Sequence, residues 1–159
     1  ADRVPPDRFP TKTVGKDETM TIDGIRVRLL RFAPAYTDGD LIAYFPDHKV
    51  AFASNILVTN FPLASTVADH ELGGSVGGWL ENAKGLLALD ADVYVPGHGA
   101  VWTKADLRTK LAFVQDKWNT VKAMVAEGRS LEQIKAAIPA PGDRSPTTVE
   151  NIYAELQSK

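Results

Sequence analysis

Apolar residues along this chain follow two periods. Through the first third they come in short β-prone runs, and from about residue 75 most of them recur every three or four positions, as on amphipathic helices. From Met20 the string TIDGIRVRLLRF places Asp23-Gly24 between two β-prone runs, and Asp-Gly supplies the positive φ values of a tight hairpin turn. The next runs, Leu41 to Phe45 and Val50 to Ser54, are separated by Pro46-Asp47-His48-Lys49, a second turn between adjacent strands. The first third therefore reads as a β-meander.

Gly73-Gly74-Ser75 then introduces a helical pattern with Val76, Trp79, Leu80, Ala83, Leu86 and Leu87 on one side and Ser75 as its N-cap. A short strand, Val93-Tyr94-Val95, runs into Pro96-Gly97-His98-Gly99, where two glycines permit an unusual backbone path around a histidine. Beyond it Leu107, Leu111, Val114, Trp118, Val121 and Val125 form one apolar helical stripe, which Gly128 stops. Ser130 and Gln133 have capping-box spacing for the next helix. Ser145-Pro146 opens a last one carrying Val149, Ile152, Tyr153 and Leu156. Pro139 to Gly142 is a linker-like break inside one domain, and the proline-bearing residues 1–18 read as an extended arm ahead of a domain spanning 19–159.

Composition narrows the function classes. With 18 Lys+Arg against 20 Asp+Glu the net charge is −2, which argues against a dedicated nucleic-acid binder. No apolar run approaches the roughly 18 residues that span a bilayer, so the expectation is a soluble protein with no membrane partner; its compartment stays open. The absence of cysteine excludes thiolate nucleophiles and Cys-ligated zinc. There is no nucleophile elbow, Walker loop or dinucleotide fingerprint. The glycines of Gly73 to Gly78 precede a helix whose N-terminus could bind an anion, but without an upstream strand and a lysine the phosphate reading is weak.

The order strand, Ala35-Tyr36-Thr37-Asp38-Gly39-Asp40, strand pair, Asn55, Gly-rich helix and Pro96-Gly97-His98-Gly99 resembles the C-terminal half of a metallo-β-lactamase-fold hydrolase of the glyoxalase II-like kind. The likeness runs from about Thr19 to the end of the chain. It implies an α/β (α+β) fold: half of an αββα sandwich, a mostly antiparallel sheet with helices on one face and a helical C-terminal third. In that family the other half brings a His-x-His-x-Asp-His loop to a zinc site, and no such string occurs here. Of the three metal positions that the C-terminal half supplies, the resemblance places a histidine where this chain has Tyr36. It places a bridging aspartate, usually after a glycine, where this chain has Ser54-Asn55. Only His98 is retained.

One histidine does not make a hydrolytic zinc centre, which needs about three or four protein ligands and an open position for water. His98 therefore has two readings, a residual metal ligand completed from another chain or a ring that fastens its loop to the sheet. Asp69 and His70, in the loop before the Gly-rich helix, are candidate replacement ligands or a general base, with solvated loop polarity as the plainer account. Asp38 and Asp40 either face the emptied pocket or shape the turn. Tyr36, Asn55 and His98 would form a polar cluster in place of a metal centre.

Half a sandwich leaves an apolar sheet face to be covered, and the expected partner is a second copy in a homodimer. The expected function is a dimeric scaffold or small-ligand binding module without hydrolase activity of its own and without a cofactor. The alternative is a zinc-dependent hydrolase whose site is completed by a second chain or by a missing N-terminal half. A mere fragment of an active enzyme accounts for absent ligands, but not for Tyr36 and Asn55.

Overall fold

Two left-handed turns set the first half of the sheet. Asp23 and Gly24 have φ values of 49° and 82°, the pair of positive values that a two-residue hairpin requires. They join β1 (Glu18–Ile22) to β2 (Ile25–Leu30). Lys49, with φ 55°, closes a 3-10 turn over Pro46–His48 and links β3 (Ile42–Phe45) to β4 (Val50–Phe52). The computed structural model describes residues 17–58, 67–139 and 147–158, with positions 5, 8 and 13–15 besides. The expected arm over 1–18 lies almost wholly outside them.

Among the described residues the sheet has six strands in the order β1-β2-β3-β4-β5-β6, with β5 (Val93–Val95) parallel to β4 and every other pair antiparallel. The sixth, β6 (Trp102–Thr103), has two residues and is too short to leave a periodic signal. The helices are α1 (Val76–Ala88), α2 (Lys104–Ala126), α3 (Leu131–Ala137) and α4 (Thr148–Gln157).

Strand register decides which side chains share a face. Leu30 stands opposite Ile42, and Tyr44, Ala51 and Tyr94 form one row across three strands. All five are buried in the core with Val76, Trp79 and Leu86 of α1. The buried Tyr94 hydroxyl donates to the Leu86 and Ala91 carbonyls, and burial pushes its pKa up.

The opposite face is apolar as well. Leu29, Ala43, Phe52 and Val95 make one row across four strands, and Met20, Val27, Phe45, Val50 and Val93 make the next. Val27 is buried, yet Ile22, Ile25, Phe52 and Val93 remain 37–53% exposed.

On α2 the buried stripe is rotated from the one the sequence predicts. Leu107, Val114 and Val121 are buried as expected, but Lys110 and Lys117 join them, while Leu111, Trp118 and Val125 are only half-buried. Long aliphatic stems let lysines lie on apolar surface, and the Lys117 ammonium sits 4.9 Å from the Phe113 ring centroid. Gly128 follows α2 with φ 78° and ends it as expected. Among the described residues no helix is long and apolar enough to cross a membrane.

The last helix begins later than Ser145-Pro146, a pair outside the described residues. Thr147 is its N-cap, in a capping box with Glu150. The Thr147 backbone N–H and the Lys135 ammonium both hold the Glu150 carboxylate, in that order of importance, below the usual glutamate range. A carboxyl with a depressed folded pKa stabilises above its unfolded pKa, and that contribution is lost as pH falls through the folded value. Glu150→Ala is therefore expected to cost about 1 kcal/mol at pH 7. In urea titrations its deficit against the wild type should shrink as pH drops below about 4.

Candidate functional site

Topology brings three loops to one end of the sheet. Strands β2, β4 and β5 run in the same direction, because β3 is antiparallel to both β2 and β4 and β5 is parallel to β4. The segments that follow them, carrying Tyr36, Asn55 and His98, therefore leave from the same edge.

The second and third loops are joined directly. The Ala53 N–H donates to the Val95 carbonyl, and the Gly97 N–H donates to the carbonyls of both Ser54 and Leu57. Val58 bridges His98. A Cβ on Gly97 would stand 2.5 Å from the Asn55 Oδ1, so the amide of Asn55 rests on the bare Cα of the glycine ahead of His98. Here glycine is required by a close approach and not by its φ.

Ser54, just before Asn55, has φ 45°, a conformation that costs a residue with a side chain about 1–2 kcal/mol. Ser54→Gly is accordingly expected to raise stability by about 1 kcal/mol, measured by thermal or urea unfolding.

The first loop is held from a different side. The Tyr36 carbonyl accepts from the Asp69 N–H at 2.8 Å, the Ala35 carbonyl from the Ser75 N–H at 2.8 Å, and the Leu72 carbonyl from the Asp38 N–H at 3.0 Å. Asp40 turns its carboxylate inward to the Thr37 N–H and hydroxyl, so it shapes the turn. The Asp38 carbonyl accepts from Arg31. Asp69 caps the 3-10 turn His70–Leu72, its side chain accepting from the Glu71 and Leu72 N–H groups.

Helix α1 ties the two sides together through its first turns. A Cβ on Gly74 would meet the Tyr36 carbonyl oxygen at 2.1 Å, and one on Gly78 would meet that of Pro34 at 1.7 Å. Asn82 donates to the Ala33 carbonyl, and the Trp79 indole donates to the Ile56 carbonyl next to Asn55. The glycines of this stretch thus admit backbone, not phosphate.

The helix N-terminus is filled from within by a residue that the sequence reading missed. Glu155 of α4 accepts from His70 Nε2 and the Val76 N–H on Oε1, and from the Ser75 hydroxyl and the Gly77 N–H on Oε2. His70 therefore points to α4. Nothing local in the sequence marks Glu155, because its partners lie 78 to 85 residues earlier.

Set against a zinc centre, the three positions that the resemblance matches to metal ligands offer one imidazole, one phenol and one neutral amide. Among the described residues no three His, Asp or Glu side chains are grouped so as to hold a metal ion. That donor set does not fit a site that takes three or four imidazole or anionic ligands.

Comparison with known proteins bears on the fold. No family model matches the chain. Among solved structures, the stereoselective inverting sec-alkylsulfatase Pisa1 from Pseudomonas sp. superposes with a TM-score of 0.63 at 20% identity, over 90% of this chain and 26% of that one. A metallo-β-lactamase family protein from Thermus thermophilus gives 0.57 at 18% identity, over 91% of this chain and 47% of its own. The metallo-β-lactamase from Pontibacter korlensis gives 0.54 at 22%, over 67% and 49%. In sequence, the chain is 33% identical over 84 residues to the 2,4-dinitroanisole O-demethylase subunit alpha of Nocardioides sp. (strain JS1661), covering 53% of this chain and 24% of that subunit. The chain has the metallo-β-lactamase fold. It spans between a quarter and a half of the length of these proteins.

Proposed function

We propose that this chain is a metallo-β-lactamase-fold module that does not hydrolyse substrates by itself. It serves as a self-associating scaffold whose former catalytic mouth, lined by Tyr36, Asn55 and His98, takes a small polar ligand by hydrogen bonding. The observation that carries this reading is the donor set. A phenol stands in place of an imidazole, and an amide brings no anionic charge to sit between two metal ions.

The scaffold part rests on the open sheet face. Two adjacent rows of apolar side chains across five strands form the contiguous kind of surface that marks an interface. The proposed partner is a second copy, packed sheet to sheet about a two-fold axis so that the apolar rows of each cover those of the other. A net charge of −2 sets up little self-repulsion. Sedimentation equilibrium should report a dimer. Phe52→Lys with Val93→Lys should give a monomer with an unchanged circular-dichroism spectrum, and a wild-type monomer at micromolar concentration would refute the scaffold.

The retained His98 favours a second reading, a zinc-dependent hydrolase completed by a polypeptide carrying the missing ligands. Esterase activity that appears only on mixing with such a polypeptide and zinc, and that vanishes in His98→Ala, would establish it in place of the first.

A further inference from the structure

We infer that α4 is a latch for the mouth of the former site, and that Glu155 is the tooth by which it holds. Glu155 belongs to no inherited metal position, and its side chain is 17% exposed. Each of its carboxylate oxygens takes two donors. Two of the four are the backbone N–H groups of Val76 and Gly77, in the first turn of α1, where an α-helix has unsatisfied donors and a partial positive charge. Ser75 supplies the third, while its own side-chain oxygen accepts from the Gly78 N–H. His70 supplies the fourth at 2.9 Å.

One turn earlier on the same face of α4, the buried Asn151 amide donates to the Ala68 carbonyl at 3.0 Å. The helix therefore grips the segment 67–77 at both ends. That segment in turn holds residues 35–38 through the Asp69, Ser75 and Asp38 N–H groups. The chain of contacts runs from α4 to Tyr36 without passing through the sheet.

The main neighbours of α4 are α1, α2 and α3. It pairs with no strand, so it can undock while the strands stay paired, uncovering Val149 and Ile152 of the core, the behaviour expected of a part that opens below the global unfolding free energy. Docked, it fixes the segment 67–77 on which the first loop of the mouth rests; undocked, it leaves that segment without its bonds to Glu155 and Asn151. Glutamine keeps the size of Glu155 but sets an NH2 group against N–H and O–H donors, so it cannot fill the same seat. The latch is independent of dimerisation and of metal.

Amide hydrogen exchange followed by NMR tests it. In Glu155→Gln the Asp69, Ser75 and Asp38 amides should exchange at least about ten-fold faster, while those of β2 and β3 keep wild-type rates. His70→Gln, which disturbs one donor of four, should show the same pattern at smaller size. Asn151→Ala, which frees the other grip, should show it too and keeps the test open if Glu155→Gln does not fold. Unchanged rates at the three amides, or acceleration by the same factor throughout the sheet, would overturn the latch and leave Glu155 a residue of general stability.

Discussion

Gly78→Ala is expected to destabilise the protein by about 3 kcal/mol, the upper end of the usual cost of overpacking, and so to lower the melting temperature by roughly 6–12 °C for a chain of this size. On an exposed helix the same change would gain about 1 kcal/mol, because alanine is the better helix former. The sign reverses here because a Cβ would fall 1.7 Å from the Pro34 carbonyl oxygen, which is backbone and cannot swing aside. Helix α1 would have to move away from residues 33–36, and the Asn82 bond to Ala33 would stretch with it. Gly85→Ala provides the internal contrast. Its Cβ would meet the Phe32 ring at 2.7 Å, but that ring is 38% exposed and free to turn outward, so little change is expected. Thermal unfolding of the two variants side by side checks the argument, and equal melting temperatures would refute it.

Trp79→Ala is the second large effect, at about 3–5 kcal/mol. The indole is only 1% exposed, and its N–H is the donor that satisfies the Ile56 carbonyl. Alanine leaves both a cavity and a buried carbonyl without its partner. Phenylalanine fills part of the space but still orphans the carbonyl, so Trp79→Phe should fall between the two. The damage should also be local. Ile56 follows Asn55, so the 53–58 turn should lose order first, seen as broadened Asn55 and Gly97 amide signals before the β1–β2 hairpin changes.

How much of this was legible in the sequence depends on how far each cause acts along the chain. Asp23-Gly24, the Ser75 cap, the Ser130–Gln133 capping box and the stop at Gly128 are set by residues within four positions, and the structure has all of them. The fold class was legible too, through Tyr36-Thr37-Asp38-Gly39-Asp40 and Pro96-Gly97-His98-Gly99. Gly74 and Gly78 were visible as glycines, but their reason lies about forty residues away in the carbonyls of Tyr36 and Pro34. Lys110 and Lys117 could not be placed on the buried stripe, because polarity argues for exposure while long aliphatic stems permit burial. Glu155 was hidden most completely: an isolated glutamate on an amphipathic helix looks like any solvated charge until the fold sets it at the start of α1. His70 was read with Asp69 as a candidate ligand pair. The structure separates their tasks, turning Asp69 to its own turn and His70 to Glu155.

The central claim is that Tyr36 and Asn55 have replaced metal chemistry and that a second copy completes the fold. Native mass spectrometry of the protein purified with zinc present tests both parts in one spectrum. The expected species is a dimer with no bound zinc. One or two zinc ions per chain or per dimer would contradict the account and return His98 to the role of a metal ligand, and a zinc-free monomer would contradict the self-completed fold.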